Sequence, residues 1–360
     1  MRFELSDEQE LVQESVRGFL EAECPVARLR AIYDADAPFD PALWKGMVEL
    51  GLAGLHVGEE HGGAGLGALD LAVVAEVLGH GAAPGPFLGH ALAARAIELA
   101  GSDAQRRAWL PRLASGDALG TVALAEPAGW QPEDWALAPG AALHGRKLHV
   151  PYAASADVVV VGTAGGGLAL ATPGGGLRAT PEATVDRTRL LDALELDGAA
   201  CEPLPGGAAA APAVRDLGLV LLAADAFGGA TRLVEASVAY AKTREQFGVP
   251  IGHFQAVKHQ LADMALEVEP SRALYWYAAH ALDRIPDQAP RAAALAKAHV
   301  TDRFQHVARE AVEVHGGYGF TWECEVQVWF KRAMFDRAFL GTPEVHRARA
   351  AALAGWSGEG

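Results

Sequence analysis

Cysteine is nearly absent from this chain: Cys24, Cys201 and Cys324 are the only three in 360 residues. Widely spaced and odd in number, they give neither a disulfide framework nor the paired spacing of a zinc site. Basic residues are also short, with 30 Lys and Arg against 45 Asp and Glu and a net charge of -15. Non-specific nucleic-acid binding draws its affinity from Lys and Arg on phosphate, so this balance argues against it. Long apolar runs are missing too. The run 217–230 is interrupted by Asp225 and is too short to span a bilayer. The N-terminal MRFELSDEQELVQ is charged and amphipathic, without the apolar centre of a signal peptide, which predicts a cytoplasmic protein. The glycines of Gly62–Gly67 lie between helical segments, lack a preceding strand and do not fit GxGxxG, so no Rossmann fingerprint is present.

What is present is a long, apolar, largely helical pattern. The length allows two or three domains with a substantial core, and 51% hydrophobic residues fit a helical enzyme rather than a disordered chain. Residues 1–120 read as helices. Ser6 supplies an N-cap and Asp7, Glu8 and Glu10 first-turn acids before the stripe Leu11, Val12, Val16, Phe19, Leu20. Between 121 and 210 the pattern turns to short runs such as TVALAE, ADVVVVG and GLALAT, separated by Gly and Pro, which predicts a small antiparallel β domain. CEPLPGGAAAAPA (Cys201–Ala213) reads as a flexible joint by composition. From 211 to 360 helical spacing returns over Leu217–Lys242, Phe254–Leu282 and Arg291–Val314. That predicts a helical bundle with one more helix after Ala338.

Two stretches are not explained by core packing. In REQFGVPIGHFQAVKHQ (Arg244–Gln260) a guanidinium and the amides of Gln246 and Gln255 sit in an otherwise apolar helical region, broken by Gly248, Pro250 and Gly252. A helix that stops at Phe247-Gly248 and restarts near His253 would gather those groups at one corner, a cradle for a phosphate-bearing ligand. The bland reading of Arg244 is a cation beside its own helix C-terminus. The second stretch is HGGYGFTWE (His315–Glu323), where Gly316 and Gly317 let a backbone approach a ligand without Cβ atoms in the way. His315 reads as a partly buried ring bonded to backbone.

These stretches resemble the acyl-CoA dehydrogenase family of flavoproteins, whose C-terminal domain carries RxxFG…FQ and QxxGGxG. Further motifs follow in family order. GEEHGGAGLG (Gly58–Gly67) is similar to PEExGGxG, AWLPRLASGD (Ala108–Asp117) to the helix and turn before the central domain, and GRKLHVPYAASAD (Gly145–Asp157) to a GxKxxxxxAxxAD strand pair. LAEPAG (Leu124–Gly129) is a damaged TEPxxGSD loop, and FLGTPEVHR (Phe339–Arg347) stands at the place of (Y/G)EGTxxxxR. The resemblance implies an N-terminal helical domain (1–120), a central antiparallel β domain (121–210) and a C-terminal helical bundle (211–360), an α+β fold with FAD as cofactor. It also implies an acyl-CoA substrate losing two hydrogens from its α and β carbons, and electron-transfer flavoprotein as acceptor.

Residue by residue, the resemblance puts Arg244 and Gln255 on the FAD of a neighbouring subunit, with Phe247 near the ring system, or else buried in the core. Glu313 takes a position that is usually glutamine, followed by Gly316 and Gly317, and Thr342 belongs to the EGT-like loop. Ala125 replaces the Thr of TEPxxGSD, Gly129–Pro132 replaces its GSD, and Trp130 and Trp135 are available to fill the space. The family's catalytic carboxylate belongs at one of two positions, here Leu340 and Gly218, and neither can take a proton. Asp225, with Leu221, Leu222, Gly228 and Gly229 as helical neighbours, reads as a satisfied buried aspartate or a replacement base. Asp216 reads as an acid near the start of the same helix. The retained motifs are those the family uses to complete a partner's flavin, and the damaged ones belong to a subunit's own site. The chain therefore resembles the non-catalytic subunit of a heteromeric acyl-CoA dehydrogenase, with bulky, steroid-type CoA thioesters as the implied substrates. The alternatives are a complete homo-oligomer with an atypical base such as Asp225, and a non-enzymatic flavin- or CoA-binding relative.

Overall fold

The computed structural model describes residues 4–35 and 39–356, so the first three residues of the amphipathic N-terminus lie outside the description. Six helices come first: α1 (Asp7–Glu23), α2 (Val26–Asp34), α3 (Pro41–Glu49), α4 (Ala68–His80), α5 (Phe87–Ala100) and α6 (Asp103–Ala114). Six strands follow: β1 (Gly120–Ala123), β2 (Ala142–Pro151), β3 (Val158–Thr163), β4 (Gly167–Ala171), β5 (Leu177–Pro181) and β6 (Leu191–Pro203). The C-terminal part holds α7 (Gly207–Thr243), a hairpin of β7 (Glu245–Gln246) and β8 (Val249–Pro250), then α8 (Gln255–Val268), α9 (Ser271–Arg284), α10 (Ala289–Val314), α11 (Gly316–Gly319), α12 (Val326–Ala338) and α13 (Pro343–Leu353). Helices, β region and helices therefore occur in the expected order. Ser6 caps α1, its hydroxyl accepting from Gln9 N while the Gln9 amide returns to Ser6 N.

Compactness divides the chain differently from composition. Of the described residues, those within Ala31–Leu71 and Pro84–Gly218 form one unit, and those within Met1–Arg30, Ala72–Ala83 and Leu219–Gly360 form the other.

The first unit is built on a sheet of order β1-β3-β4-β6-β2, with β5 also paired to β6. Its pairs are antiparallel except β1 with β3, which run parallel from Gly120↔Val158 to Ala123↔Val161. The expected antiparallel domain thus carries one parallel pair at its edge. β3 is buried along its whole length, which fits its unbroken valine run. Leu143, Val150, Val159, Val161, Leu194 and Leu196 form the core beneath the sheet. α5 comes so close that a Cβ on Gly89 would stand 2.8 Å from the Thr121 hydroxyl.

The second unit is helical and centred on α10, which packs against α8, α9, α12 and α13. Val300, Phe304, Val307 and Ala311 line its buried face. The segments of α4 and α7 in this unit cross at near backbone contact. A Cβ on Gly228 would meet the Glu76 carbonyl at 1.9 Å, and one on Gly79 the Asp225 carbonyl at 2.0 Å. Only glycine permits that approach.

Three expectations are corrected here. Gly207–Ala213 is the first two turns of α7 rather than a joint, because its alanines favour helix. Phe254–Leu282 is two helices, broken at Glu269-Pro270, where proline cannot supply the interior N–H. Asp216 lies well inside α7 rather than at its start. Among the described residues α7 alone is long and apolar enough to cross a membrane, and 83% of its apolar window is buried, the pattern of a core helix.

Candidate functional site

α7 ends at Thr243, earlier than Phe247-Gly248, and a tight hairpin replaces the simple turn. Glu245 pairs with Pro250 and Gln246 with Val249, leaving Phe247 (φ 55°) and Gly248 (φ 81°) as the two loop residues. Positive φ at both central residues is the signature of the type I′ hairpin turn. The Arg244 carbonyl closes the hairpin by accepting from Ile251 N at 2.8 Å. Gly252 brings the following turn against α7, where a Cβ would lie 2.9 Å from the Ala241 carbonyl.

The hairpin leaves the predicted groups in solvent. Arg244 and Gln255 are exposed, and among the described residues the Arg244 guanidinium has no hydrogen-bond or ion-pair partner. Gln255 reaches only His259, one helical turn away, at 3.4 Å. Phe247 is 93% exposed, which removes the core reading of this residue and leaves an apolar ring on a fixed turn.

Tyr240 joins the two singled-out stretches. It stands one turn before Arg244, whose N–H donates to the Tyr240 carbonyl at 2.8 Å. Its ring stacks on His315 (4.3 Å between centroids) and faces Tyr318 at 6.3 Å. The end of α7 and the glycine turn after α10 are thus held together. His315 is buried, with Nδ1 bonded to the Ala311 carbonyl at 2.7 Å, as its bland reading expected. Burial lowers its pKa. Glu313 is exposed and so is free to point away from an anion. Gly316 adopts φ 60°, and a Cβ on Gly316 or Gly317 would have nothing within 4 Å. Gly319 differs, since its Cβ would strike the Val312 carbonyl at 2.3 Å. The first two glycines therefore leave open surface, whereas the third serves packing. An unpartnered guanidinium, an exposed ring and an open glycine turn on one unit fit contacts to a flavin dinucleotide.

Both positions of the usual carboxylate are buried and apolar. Gly218 is a buried residue of α7. Leu340 is 1% exposed and held at φ 60°. Its carbonyl receives His346 Nε2 at 3.0 Å. Thr342 stands at the N-cap position of α13 without a side-chain cap bond, and its hydroxyl beside Glu344 lowers that carboxyl's pKa. Asp225 is a satisfied aspartate. Arg332, 0% exposed, donates Nε to one of its oxygens at 2.8 Å and Nη2 to the other at 2.6 Å. Both oxygens thus face a guanidinium inside the bundle, which stabilises the charged carboxylate and lowers its basicity. Of the two readings of Asp225, the pairing fits the satisfied buried aspartate. Asp216 is likewise taken up by Arg215 Nε at 3.1 Å.

In the other unit the altered flavin loop is closed on itself. The Glu126 carboxylate accepts from Lys147 Nζ at 2.6 Å, Ala136 N at 2.8 Å and Leu137 N at 3.4 Å. Lys147 is fully buried beneath the Trp135 ring at 5.3 Å, and burial pulls its pKa down to about 8. Trp135 packs over Gly162, where a Cβ would stand 2.6 Å from the indole. Trp130 stacks on His149 at 5.7 Å. The tryptophans have settled against the protein, and Ala125, 2% exposed, offers no donor beyond its backbone.

Residues 6–117 match the family model "Acyl-CoA dehydrogenase, N-terminal domain" and residues 213–354 match "Acyl-CoA dehydrogenase, C-terminal domain". The chain belongs to the acyl-CoA dehydrogenase family. It is 33% identical to the acyl-CoA dehydrogenase IpdE2 of Mycolicibacterium smegmatis over 343 residues, covering 94% of this chain and 96% of that protein. To IpdE2 of Mycobacterium tuberculosis it is 34% identical over 339 residues, 94% of each. Among solved structures it is similar to a variant of the Tcur3481-Tcur3483 steroid ACAD, with TM-score 0.89, 31% identity and coverage of 97% and 98%. The ChsE4-ChsE5 complex from Mycobacterium tuberculosis gives TM-score 0.89 with 28% identity, covering 99% of this chain and 100% of the matched one. The acyl-CoA dehydrogenase of Bacillus anthracis, solved complexed with FAD, gives 0.87 with 25% identity, covering 97% and 68%.

Lys297, Lys147 and Arg332 were not singled out from sequence. Each is a fully buried cation. The available signal was a charge on an otherwise apolar face, as at Lys297 between Ala293 and Thr301.

Proposed function

We propose that this chain is the non-catalytic subunit of a heteromeric, FAD-dependent acyl-CoA dehydrogenase, completing the flavin site of a catalytic partner. The observation that carries the reading is the burial of Leu340 at the position of the usual base, with Gly218 at the other and Asp225 tied to Arg332. FAD is the cofactor of this family and supplies the acceptor for the hydride. The residues of this chain that would hold it are Arg244 at the pyrophosphate, Gln255 and Phe247 beside it, the backbone at Gly316 and Gly317 next to Glu313, and Thr342. An unpaired, exposed guanidinium suits a pyrophosphate because its fork of donors can bind two oxygens at once.

A heteromeric partner is supported by two similar structures whose names each join two chains, Tcur3481-Tcur3483 and ChsE4-ChsE5. A bulky, steroid-type acyl-CoA is the proposed substrate, since the first of these is named a steroid ACAD. Electron-transfer flavoprotein is the proposed acceptor, and the cytoplasm the proposed location.

Co-expression with a family member that retains the carboxylate, followed by flavin counting and a turnover assay, tests the reading. Fewer flavins than subunits, with turnover abolished by removing the partner's carboxylate, is the expected result. Robust turnover by this chain alone, with one flavin per subunit, would sink it.

A further inference from the structure

Lys297 lies on α10 and is fully buried. Its Nζ donates to three backbone carbonyls, Asp336 at 2.5 Å, Arg337 at 3.1 Å and Gly341 at 3.2 Å. Three donors meeting three acceptors is the full capacity of an ammonium. Two of those carbonyls belong to the last turn of α12, where helix carbonyls lack intrahelical partners and the helix dipole favours a cation. The third lies beyond the helix end, in the loop that carries Leu340 and Thr342.

That loop has an unusual backbone. Leu340 holds φ 60° and Gly341 φ 107°. A branched residue in the left-handed region persists only where its surroundings over-determine it. Here two buried cationic or imidazole groups do so: Lys297 takes the Gly341 carbonyl and His346 the Leu340 carbonyl at 3.0 Å. Burial draws the Lys297 pKa down to about 7, partly offset by the Asp336 carboxylate.

We propose that Lys297 is a positioning residue for the loop from Phe339 to Thr342. By gathering the carbonyls of Asp336, Arg337 and Gly341, it keeps Leu340 and Thr342 in the conformation used by the assembled flavin site. Lys297, together with His346 on the Leu340 carbonyl, and not the side chain at 340, specifies the loop's shape. The functional half of this inference rests on the proposed flavin role of Thr342. The conformational half does not.

The test is Lys297→Met in the full chain, read by amide hydrogen exchange and by the flavin content and absorbance spectrum of the assembly co-expressed with a catalytic family member. Protection over 339–346 should fall roughly ten- to hundredfold, since a hydrogen bond to a charged group is lost. Protection over 300–312 should hold, and bound FAD should fall with a changed flavin spectrum. Unchanged exchange over 339–346 overturns the inference, and so does faster exchange with unchanged flavin content and spectrum. Arg244→Ala run alongside separates the two readings. If it too leaves FAD content unchanged, the flavin-site assignment fails, and exchange over 339–346 alone decides the clamp. Should the variant not fold, amine-reactive labelling of the native wild-type chain still discriminates. Lys297 should stay unmodified while the exposed Lys45 and Lys258 react, and modification at their rate overturns the clamp.

Discussion

Acidification should selectively weaken the sheet-containing unit through His56 and His90. His56 is 6% exposed, and its Nε2 has no hydrogen-bond partner among the described residues. Burial, then Arg95 and His90, lower its pKa from 6.5 to about 3. His90 is 1% exposed, bonded through Nε2 to the Ala53 carbonyl at 3.2 Å and through Nδ1 to Gly120 N at 3.3 Å. Burial lowers its pKa to about 4. Both rings are therefore neutral when folded and take up protons below 6.5 only when unfolded. The stabilisation is fully present above pH 6.5 and is lost as pH falls from there towards the folded values. At about pH 5, roughly 1.5 pH units below the unfolded value, each ring costs about 2 kcal/mol, so the pair costs about 4 kcal/mol. Urea unfolding at about pH 7.5 and about pH 5 should show that loss in the wild type. It should be largely absent from the double variant His56→Gln, His90→Gln, whose amides keep a donor and an acceptor but do not titrate. Equal acid losses in the two proteins would refute the reasoning, whatever stability the variant has at neutral pH.

Arg244→Ala should weaken flavin retention in the assembled oligomer by roughly 2–5 kcal/mol, the cost of unpairing a bound charge. Unchanged flavin content would remove Arg244 from the site. Asp225→Asn should destabilise the helical unit by about 3–5 kcal/mol in denaturant unfolding, because buried Arg332 loses its hydrogen-bonded counter-charge and keeps only the Asp336 carboxylate, 4.0 Å from its Nε. A variant with normal stability but abolished turnover would instead make Asp225 a base. Gly319→Ala should cost about 1–3 kcal/mol in the same assay, since its Cβ meets the Val312 carbonyl. Gly317→Ala, with open space around its Cβ, should leave the melting temperature unchanged and lower flavin content; equal melting losses for the two would contradict the open-surface assignment. Leu340→Glu alone should not give turnover, because Ala125 and the self-closed Glu126 loop remain, and turnover by that single variant would show the local flavin site intact.

Element order and the two conspicuous motifs were legible because composition changes sharply near 120 and again where the β runs end, and because Arg244, Gly316 and Gly317 break an apolar pattern. His315 was also legible, since its partner is the carbonyl four residues back. What was not legible depends on contacts distant in sequence. Asp225 could be read as buried, but Arg332, its partner, lies 107 residues on. Lys297 is not legible because periodicity scores a lysine as an outward residue, while its acceptors lie on α12 and the loop after it. The hairpin at Phe247-Gly248 is not legible because phenylalanine is an unusual choice for a left-handed turn position.

That turn has a consequence for how the protein must be made. Phe247 is 93% exposed, and the same unit shows Phe320 at 75% and Tyr318 at 47%. A chain synthesised in excess of its partner would carry these rings uncovered, available to any other apolar surface. Under the proposed pairing, supply of the two subunits has to be matched. Overproduction of this chain alone would then appear first as insolubility, before any change in catalysis could be measured.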